Sequence, residues 1–172
     1  MFTASQQAQE SCRARLGAER WNFLLSTPQG IATPRRELLK GAVTVVVEGA
    51  IVWCKQNRAD VWSTSRFVSE VKGFPPGLSV WGDPASALAF HAKGIPFVPM
   101  KPNAILGPGL VPRPADAFFK ALAFACENLK AKKVRVFGLS GLQRSESRWK
   151  RWSFARLQRE AGALGIELER VR

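Results

Sequence analysis

The sequence predicts an α/β fold: a single three-layer domain with a mainly parallel, Rossmann-like sheet and helices on both faces. Three observations predict it. Short β-branched or aromatic runs alternate with helical patterns along the chain. Helix starts carry a capping residue before proline, and helix ends carry glycine. The 172 residues, 46% of them hydrophobic, suffice for one domain, and neither a repeat nor a linker divides residues 1–172.

In the first half of the chain, helices are recognised by their ends and strands by continuous apolar character. Residues 4–20 predict a polar helix, and Thr33-Pro34 predicts the start of a second helix that ends at Gly41. Ala50–Gln56 fits either a strand or a short helix. A further short helix is expected to end near Gly73. The predicted strands are Trp21–Leu25, Val43–Val47 and Asp60–Ser65.

The second half of the chain continues the alternation. Asp83-Pro84 and Gly94 mark the ends of a helix between two short strands, a unit that normally forms a parallel pair. Pro114 begins a helix that runs to about Lys130, and a long helix is expected from Ser145 to about Gly165. The predicted strands are Leu78–Trp81, Ile95–Val98, Val134–Leu139 and Ile166–Val171.

The charge is the strongest global signal. Lysine and arginine number 26 against 13 acidic residues, a net charge of +13 with a pI near 10.7. From Lys130 to Arg172 there are 12 basic and 4 acidic residues. Such an excess destabilises the folded state by self-repulsion, which an anionic partner offsets. Nucleic acid is the commonest such partner, while nucleotides and membrane surfaces are weaker candidates.

Several classes of protein do not fit the sequence. The apolar runs are too short to cross a bilayer, and residues 1–20 lack the apolar segment of a secretory signal, so a cytoplasmic protein is expected. Cys12, Cys54 and Cys126 lie far apart, which argues against structural zinc. A Ser-His-Asp triad would have to use His91, the only histidine, and the lack of tyrosine excludes a tyrosine recombinase.

Polar residues that follow predicted strands form a candidate phosphate site. Ligands of parallel sheets bind beyond the carboxyl ends of the strands, where helix N-termini and glycine-rich turns present N–H groups. Ordinary helix caps and tight turns would use the same residue types. The predicted phosphate-binding residues are Thr64, Ser65, Arg66, Ser140, Gln143 and Arg144.

Two carboxylates also follow predicted strands. Asp83 and Glu48 are candidate catalytic residues, as a general base or, if they converge, as ligands of Mg²⁺. Asp83 before proline is equally typical of a helix N-cap. The Pro- and Gly-rich loop Lys101–Pro114 could carry Lys101 and Asn103 as a lid. No metal site and no cofactor other than a possible Mg²⁺ is evident.

The predicted helix from Ser145 combines basic and tryptophan residues. A stripe of Phe154, Leu157, Ala161 and Leu164 should face the sheet, which leaves the basic residues outside. Basic groups neutralise phosphates and tryptophan stacks on bases, although a solvated helix would look similar. The predicted nucleic-acid contacts are Arg148, Trp149, Lys150, Arg151, Trp152, Arg156 and Arg159, extended by Lys130, Lys132, Lys133 and Arg135.

Three functional hypotheses remain open. The first is a nucleic-acid-binding protein, which could process or modify nucleic acid and is expected to show little sequence specificity. The alternative is an enzyme that acts on a nucleotide, nucleoside or phosphosugar through the phosphate site at the strand ends. The third is a structural protein that binds an acidic protein. The sequence does not decide between DNA and RNA, whether the chain is an enzyme, or its oligomeric state.

Overall fold

The structure, a computed structural model, describes residues 19–27, 30–65, 75, 77–100, 117–127, 129, 131–138 and 154–171. Seven strands of this part form one sheet, and two short strands form an antiparallel pair beside it. The sheet strands are β1 (Arg20–Leu24), β4 (Ala42–Val47), β5 (Val61–Ser63), β6 (Ser79–Gly82), β7 (Phe97–Pro99), β8 (Lys133–Phe137) and β9 (Glu167–Val171). The antiparallel pair, which the sequence did not predict, is β2 (Ser26–Thr27) and β3 (Gly30–Ile31).

All neighbours in the seven-stranded sheet are parallel, in the order β7-β6-β5-β4-β1-β8-β9. The chain therefore moves outward from β1 to β7 and then returns to place β8 on the other side of β1. The strand order reverses between β1 and β8. This confirms the predicted parallel sheet and the predicted parallel pairing of the strands around Asp83-Pro84.

Helices cover both faces of this sheet. The α-helices of the described residues are α1 (Arg36–Leu39), α2 (Ala87–Ala92), α3 (Ala117–Glu127) and α4 (Phe154–Ala163), and two 3₁₀ helices span Glu48–Lys55 and Pro84–Ser86. None of the helices in the described ranges is long and apolar enough to cross a membrane.

The core consists of two layers, one on each face of the sheet. On one face, Phe118 of α3 and Phe154 of α4 pack with Trp21, Trp81 and the other side chains that alternate to that side of the strands. The opposite face packs against α1, the 3₁₀ helix Glu48–Lys55 and α2, whose Phe90 is fully buried. Burial of each such aromatic side chain contributes about 1.5–3 kcal/mol. The predicted three-layer architecture is thereby confirmed.

Two local predictions differ from the structure, and for a third segment, Ala50–Gln56, the structure selects the helix from the two alternatives. Thr33 does not cap a helix, because the backbone stays extended through Arg35 and α1 is only four residues long. The ambiguous segment Ala50–Gln56 belongs to the 3₁₀ helix Glu48–Lys55. Leu164 of the predicted apolar stripe is 52% exposed, because α4 ends at Ala163 and the chain turns away at Gly165, which has φ +76°.

Other predictions fall outside the described residues. These are most of the helix at residues 4–20, the short helix ending near Gly73, the loop Lys101–Pro114 and the beginning of the long helix from Ser145.

Candidate functional site at the carboxyl ends of the strands

The strands β4, β5 and β6 end within one residue of the same level. Val47, Ser63 and Trp81 are register partners across the three strands. The residues that follow them, Glu48 and Thr64, lie side by side at the carboxyl edge of the sheet. The Thr64 N–H extends the pairing by donating to the Trp81 carbonyl at 3.0 Å.

Glu48 is the centre of a hydrogen-bonded cluster at this edge. Its Oε2 accepts from the Thr64 hydroxyl at 3.0 Å, and its Oε1 accepts from the Ser65 N–H at 2.8 Å and from the Ser65 hydroxyl. Its main-chain carbonyl accepts from the Trp62 indole N–H at 3.0 Å. Both ends of the residue are therefore fixed by the neighbouring strand β5. We call Glu48, Thr64 and Ser65 the carboxylate–hydroxyl cluster.

Glu48 is also the one non-glycine residue in the described ranges with a positive φ, at 47°. This left-handed conformation costs of order 1 kcal/mol or more for a residue with a side chain, and it persists only where the surroundings hold it. Such strain concentrates at functional sites. Here the hydrogen bonds from β5 hold it, so the carboxylate is placed beyond the strand end in a fixed position.

The cluster presents acceptors rather than donors. The hydroxyl protons of Thr64 and Ser65 and the Ser65 N–H are directed at the Glu48 carboxylate. A phosphate would have to compete with that carboxylate for these donors, whereas a ligand hydroxyl or amine would meet oxygen acceptors. Phosphate binding by Thr64 and Ser65 stays a prediction. The other predicted phosphate ligands, Arg66, Ser140, Gln143 and Arg144, lie outside the described residues, as do Lys101 and Asn103.

Asp83 follows β6 at the same edge. Its Oδ1 accepts from the Ala85 N–H at 2.9 Å, which confirms the N-cap, and its Oδ2 lies 3.8 Å from Lys120 of α3. The main chains of β4 and β6 are two strand spacings apart, roughly 10 Å. Within the described residues, three or more metal-ligating side chains do not come together. Catalysis by Asp83 and Glu48 and the binding of Mg²⁺ stay predictions.

A hydrogen bond and an ion pair join helix α3 to the ends of β5 and β6. The buried Ser63 hydroxyl donates to the Ala117 carbonyl at 2.8 Å, and Lys120 reaches Asp83. Gly82 packs so tightly that an added Cβ would lie 3.0 Å from the Phe97 ring and 3.2 Å from the Thr64 carbonyl. The edge beside the carboxylate–hydroxyl cluster is therefore closely packed. Sequence reasoning noted Ser63 as a hydroxyl at a strand end but missed its contact with α3, and it missed Lys120, because only the fold brings α3 to these strands.

The strand order reverses two strands away from β5, between β1 and β8. Beyond β1, the Leu25 N–H donates to the Phe137 carbonyl at 2.9 Å, and the chain leaves β8 through Gly138 at φ +80°. Reversal points of parallel sheets open a crevice at the carboxyl ends of the strands. Glu48 follows β4, the neighbour of β1, so the carboxylate–hydroxyl cluster lies within about two strands of this reversal point.

The single histidine and a free cysteine do not add to the site. His91 is partly exposed on α2, with its ring edge-on to Phe97 at 6.2 Å. Cys54 is half-buried, and burial raises the pKa of its thiol, which lowers its nucleophilic fraction at neutral pH.

The basic residues around β8 have acidic partners. Lys132 pairs with Glu19 at 2.6 Å, Lys133 with Glu167 at 2.7 Å and Arg135 with Glu169 at 3.3 Å. A carboxylate therefore screens each of these three cations, and their contact with nucleic acid stays a prediction. Arg159 is exposed on α4. Outside the described residues lie Lys130, Arg148, Trp149, Lys150, Arg151, Trp152 and the side chain of Arg156.

Many other basic side chains of the described part are exposed and have no carboxylate within salt-bridge distance there. They number nine: Arg20, Arg35, Arg36, Lys40, Lys55, Arg58, Lys93, Arg159 and Arg170.

Comparison with protein-family models, curated proteins and solved structures found no match. The functional proposals therefore rest on the fold, the carboxylate–hydroxyl cluster and the distribution of charge.

Proposed function

We propose that this chain binds nucleic acid, with the phosphate backbone as its main contact. The observation that supports it is the set of nine exposed basic side chains that have no carboxylate partner among the described residues, in a chain of net charge +13. Cations left unpaired on a surface repel one another, and a polyanion relieves that repulsion.

A polymer fits this distribution better than a single small anion. The nine side chains extend from Lys93, before the edge strand β7, to Arg170 in the opposite edge strand β9, six strand spacings or roughly 29 Å apart, so no one phosphate could contact most of them. Neutralising several phosphates together releases their condensed counterions, which makes binding strong at low salt and steeply salt-dependent. Contacts to the backbone carry little sequence information, so weak sequence specificity is expected.

The test is binding of the purified chain to labelled single- and double-stranded DNA and RNA across a salt series, with polyglutamate as the matched acidic control. We expect the logarithm of the affinity to fall linearly with the logarithm of salt, by roughly 0.7–0.9 for each phosphate contacted. Polyglutamate should compete poorly. Indifference to every nucleic acid near physiological salt, or equal binding of polyglutamate, contradicts the proposal.

A second candidate is an enzyme or binding protein for a nucleotide, nucleoside or phosphosugar. The strained backbone of Glu48 and the fixed carboxylate–hydroxyl cluster favour it, because acceptors at the carboxyl edge of a parallel sheet suit the hydroxyl groups of a sugar. In this candidate, Glu48 and Ser65 orient the sugar, and the phosphate lies towards the reversal of strand order between β1 and β8.

Calorimetry against a panel of nucleosides, nucleotides and sugar phosphates tests this second candidate. Glu48→Gln keeps the size of the side chain but removes its charge, and loss of a charged hydrogen bond of about 1.5–3 kcal/mol should weaken sugar binding by roughly tenfold or more. Glu37→Gln, at an exposed position of α1, is the matched control and should bind normally. Absence of heat with the whole panel argues against the candidate.

A further inference from the structure

A line of cations lies at the amino edge of the sheet, opposite the carboxylate–hydroxyl cluster. Arg20 begins β1, Lys40 lies two residues before β4, Arg58 three residues before β5, and Lys93 four residues before β7. All four side chains are exposed and, within the described part of the chain, none has a carboxylate within salt-bridge distance. We call these four residues the cationic edge.

The strand register places Arg20 and Arg58 level with each other across the sheet. Arg20 is the register partner of Ala42, and the pairing of Val45 with Val61 brings Arg58 level with the same position. Strands β1 and β7 are separated by β4, β5 and β6, so the line spans four strand spacings, or roughly 19 Å. Lys40 and Lys93 end the helices that precede β4 and β7, so they lie at the same edge of the sheet as Arg20 and Arg58.

Three carboxylates of the described part lie at this edge, and each has a partner. Asp60 accepts the Thr44 N–H at 2.9 Å, Glu19 pairs with Lys132, and Glu167 pairs with Lys133. Exposed pairs such as the last two contribute little to stability and screen one cation each. The net field along the edge is therefore positive.

A cleft of about 750 Å³ opens beside Arg58, between the starts of β5 and β6. Ala59, Pro75 and Leu78 line it with apolar surface, and Asn57 and Asp60 add hydrogen-bonding groups. Ligand pockets typically have this size and this mixture of apolar walls with a few polar groups. A planar base, apolar on its faces and polar at its edge, fits that chemistry.

We propose that a single-stranded nucleic acid lies along the amino edge, with its phosphates on Arg20, Lys40, Arg58 and Lys93 and one base in the cleft beside Arg58. This proposal rests on the proposed nucleic-acid function and identifies the surface of the protein that binds the nucleic acid. A line of single cations matches a linear chain of phosphates better than a flat membrane surface. A pocket for one base requires bases that are free to leave the stack, as in a single strand.

Fluorescence anisotropy with a labelled single-stranded oligonucleotide across a salt series tests the assignment. The variant Arg20→Glu/Arg58→Glu is compared with Arg159→Glu/Arg170→Glu, which makes the same charge change on α4 and β9. Loss of two phosphate contacts should reduce the salt slope by about 1.4 and weaken binding roughly tenfold or more. The comparison pair belongs to the nine exposed cations but lies outside the cationic edge, so it should lower the slope and the affinity clearly less than Arg20→Glu/Arg58→Glu. Arg20→Lys/Arg58→Lys should keep binding, and thermal melts establish that each variant folds.

The possible outcomes test the assigned binding surface and the proposed nucleic-acid function separately. If wild-type protein binds but both charge-reversal pairs behave alike, or only Arg159→Glu/Arg170→Glu weakens binding, the amino-edge assignment is overturned and the nucleic-acid function stands. If the wild-type protein binds no nucleic acid, both proposals fail. Binding of anionic lipid vesicles in preference to the oligonucleotide would also overturn the assignment in favour of a membrane surface.

The cleft has a built-in reporter, because Cys54 lines it. Bound oligonucleotide should slow maleimide modification of Cys54, read by mass spectrometry, several-fold. Cys126 on α3 packs against the core of the opposite face and serves as the internal control, whose modification rate should not change. Equal protection of both thiols, or none at Cys54 while the oligonucleotide is bound, contradicts occupation of the cleft.

Discussion

At the scale of single residues, the carboxyl edge is built from positions that tolerate few alternatives. Glu48 keeps a left-handed backbone because the side chains and main chain of β5 satisfy its polar groups on both sides. Gly82, two strands away, has an ordinary φ and is needed for space instead. The carboxyl edge therefore contains one strained backbone position, Glu48, and one closely packed position, Gly82.

Gly82→Ala should destabilise the fold by about 1–3 kcal/mol, the usual cost of overpacking a filled interior. The added Cβ would lie 3.0 Å from the Phe97 ring and 3.2 Å from the Thr64 carbonyl, which belongs to the backbone and yields little. Urea unfolding of both proteins measures the difference in free energy.

Gly162→Ala is the matched control for this substitution. Gly162 lies in α4, where an added Cβ meets nothing within 4 Å. Alanine should therefore stabilise the protein by up to about 1 kcal/mol through its higher helix propensity. A Gly82→Ala protein as stable as the wild type would show that the strands around Phe97 yield more than their packing suggests.

At the scale of elements, β8 and β9 are joined by charge as well as by their ladder. Lys133 and Arg135 of β8 face Glu167 and Glu169 of β9 as register partners, and each pair forms a salt bridge. The hydrogen bond from Lys133, supported by the positive charges of Lys133 and Arg135, holds the pKa of Glu167 below its usual value. Like-charged residues two positions apart on one strand thus form salt bridges to the neighbouring strand.

This lowered pKa predicts a small acid-dependent loss of stability. A carboxylate with a depressed folded-state pKa contributes stability above its unfolded-state pKa, and that contribution disappears as the pH falls through the folded-state value. Glu167→Gln should therefore destabilise the protein near neutral pH and match the wild type at low pH, measured by urea midpoints across the acid range.

The partner substitution Lys133→Met provides the complementary measurement. If the contribution belongs to the pair, the double variant should be no more pH-sensitive than either single variant. A difference between wild type and Glu167→Gln that stays constant with pH would instead indicate a packing effect of the side chain.

At the scale of the whole molecule, the two edges of the sheet have opposite chemical character. The carboxyl edge presents the acceptors of the carboxylate–hydroxyl cluster, whereas the amino edge presents the cations of the cationic edge. The two functional proposals therefore depend on different surfaces. Glu48→Gln should affect sugar binding and leave the salt slope of oligonucleotide binding intact, while Arg20→Glu/Arg58→Glu should do the reverse.

The sequence by itself determined the fold class and most strand positions. Runs such as Val43–Val47 are continuous and β-branched, and a buried parallel strand requires that composition locally. Asp83 was predictable as a cap because a capping aspartate accepts a hydrogen bond from a backbone N–H that is only two residues further along the chain. Helix α1 was predicted too long, because the signal at Thr33-Pro34 is local, whereas in the fold Pro34 is buried and the backbone is still extended at Arg35.

Only the tertiary structure decided which side chains meet. Thr64 and Ser65 could be predicted at a strand end, but their donation to Glu48 depends on β4 and β5 being neighbours. The pairing of Lys133 with Glu167, and the row formed by Arg20 and Arg58 at the amino edge, likewise follow from strand order and register. A linear pattern encodes the period of an element, whereas contacts between distant residues depend on how the sheet packs.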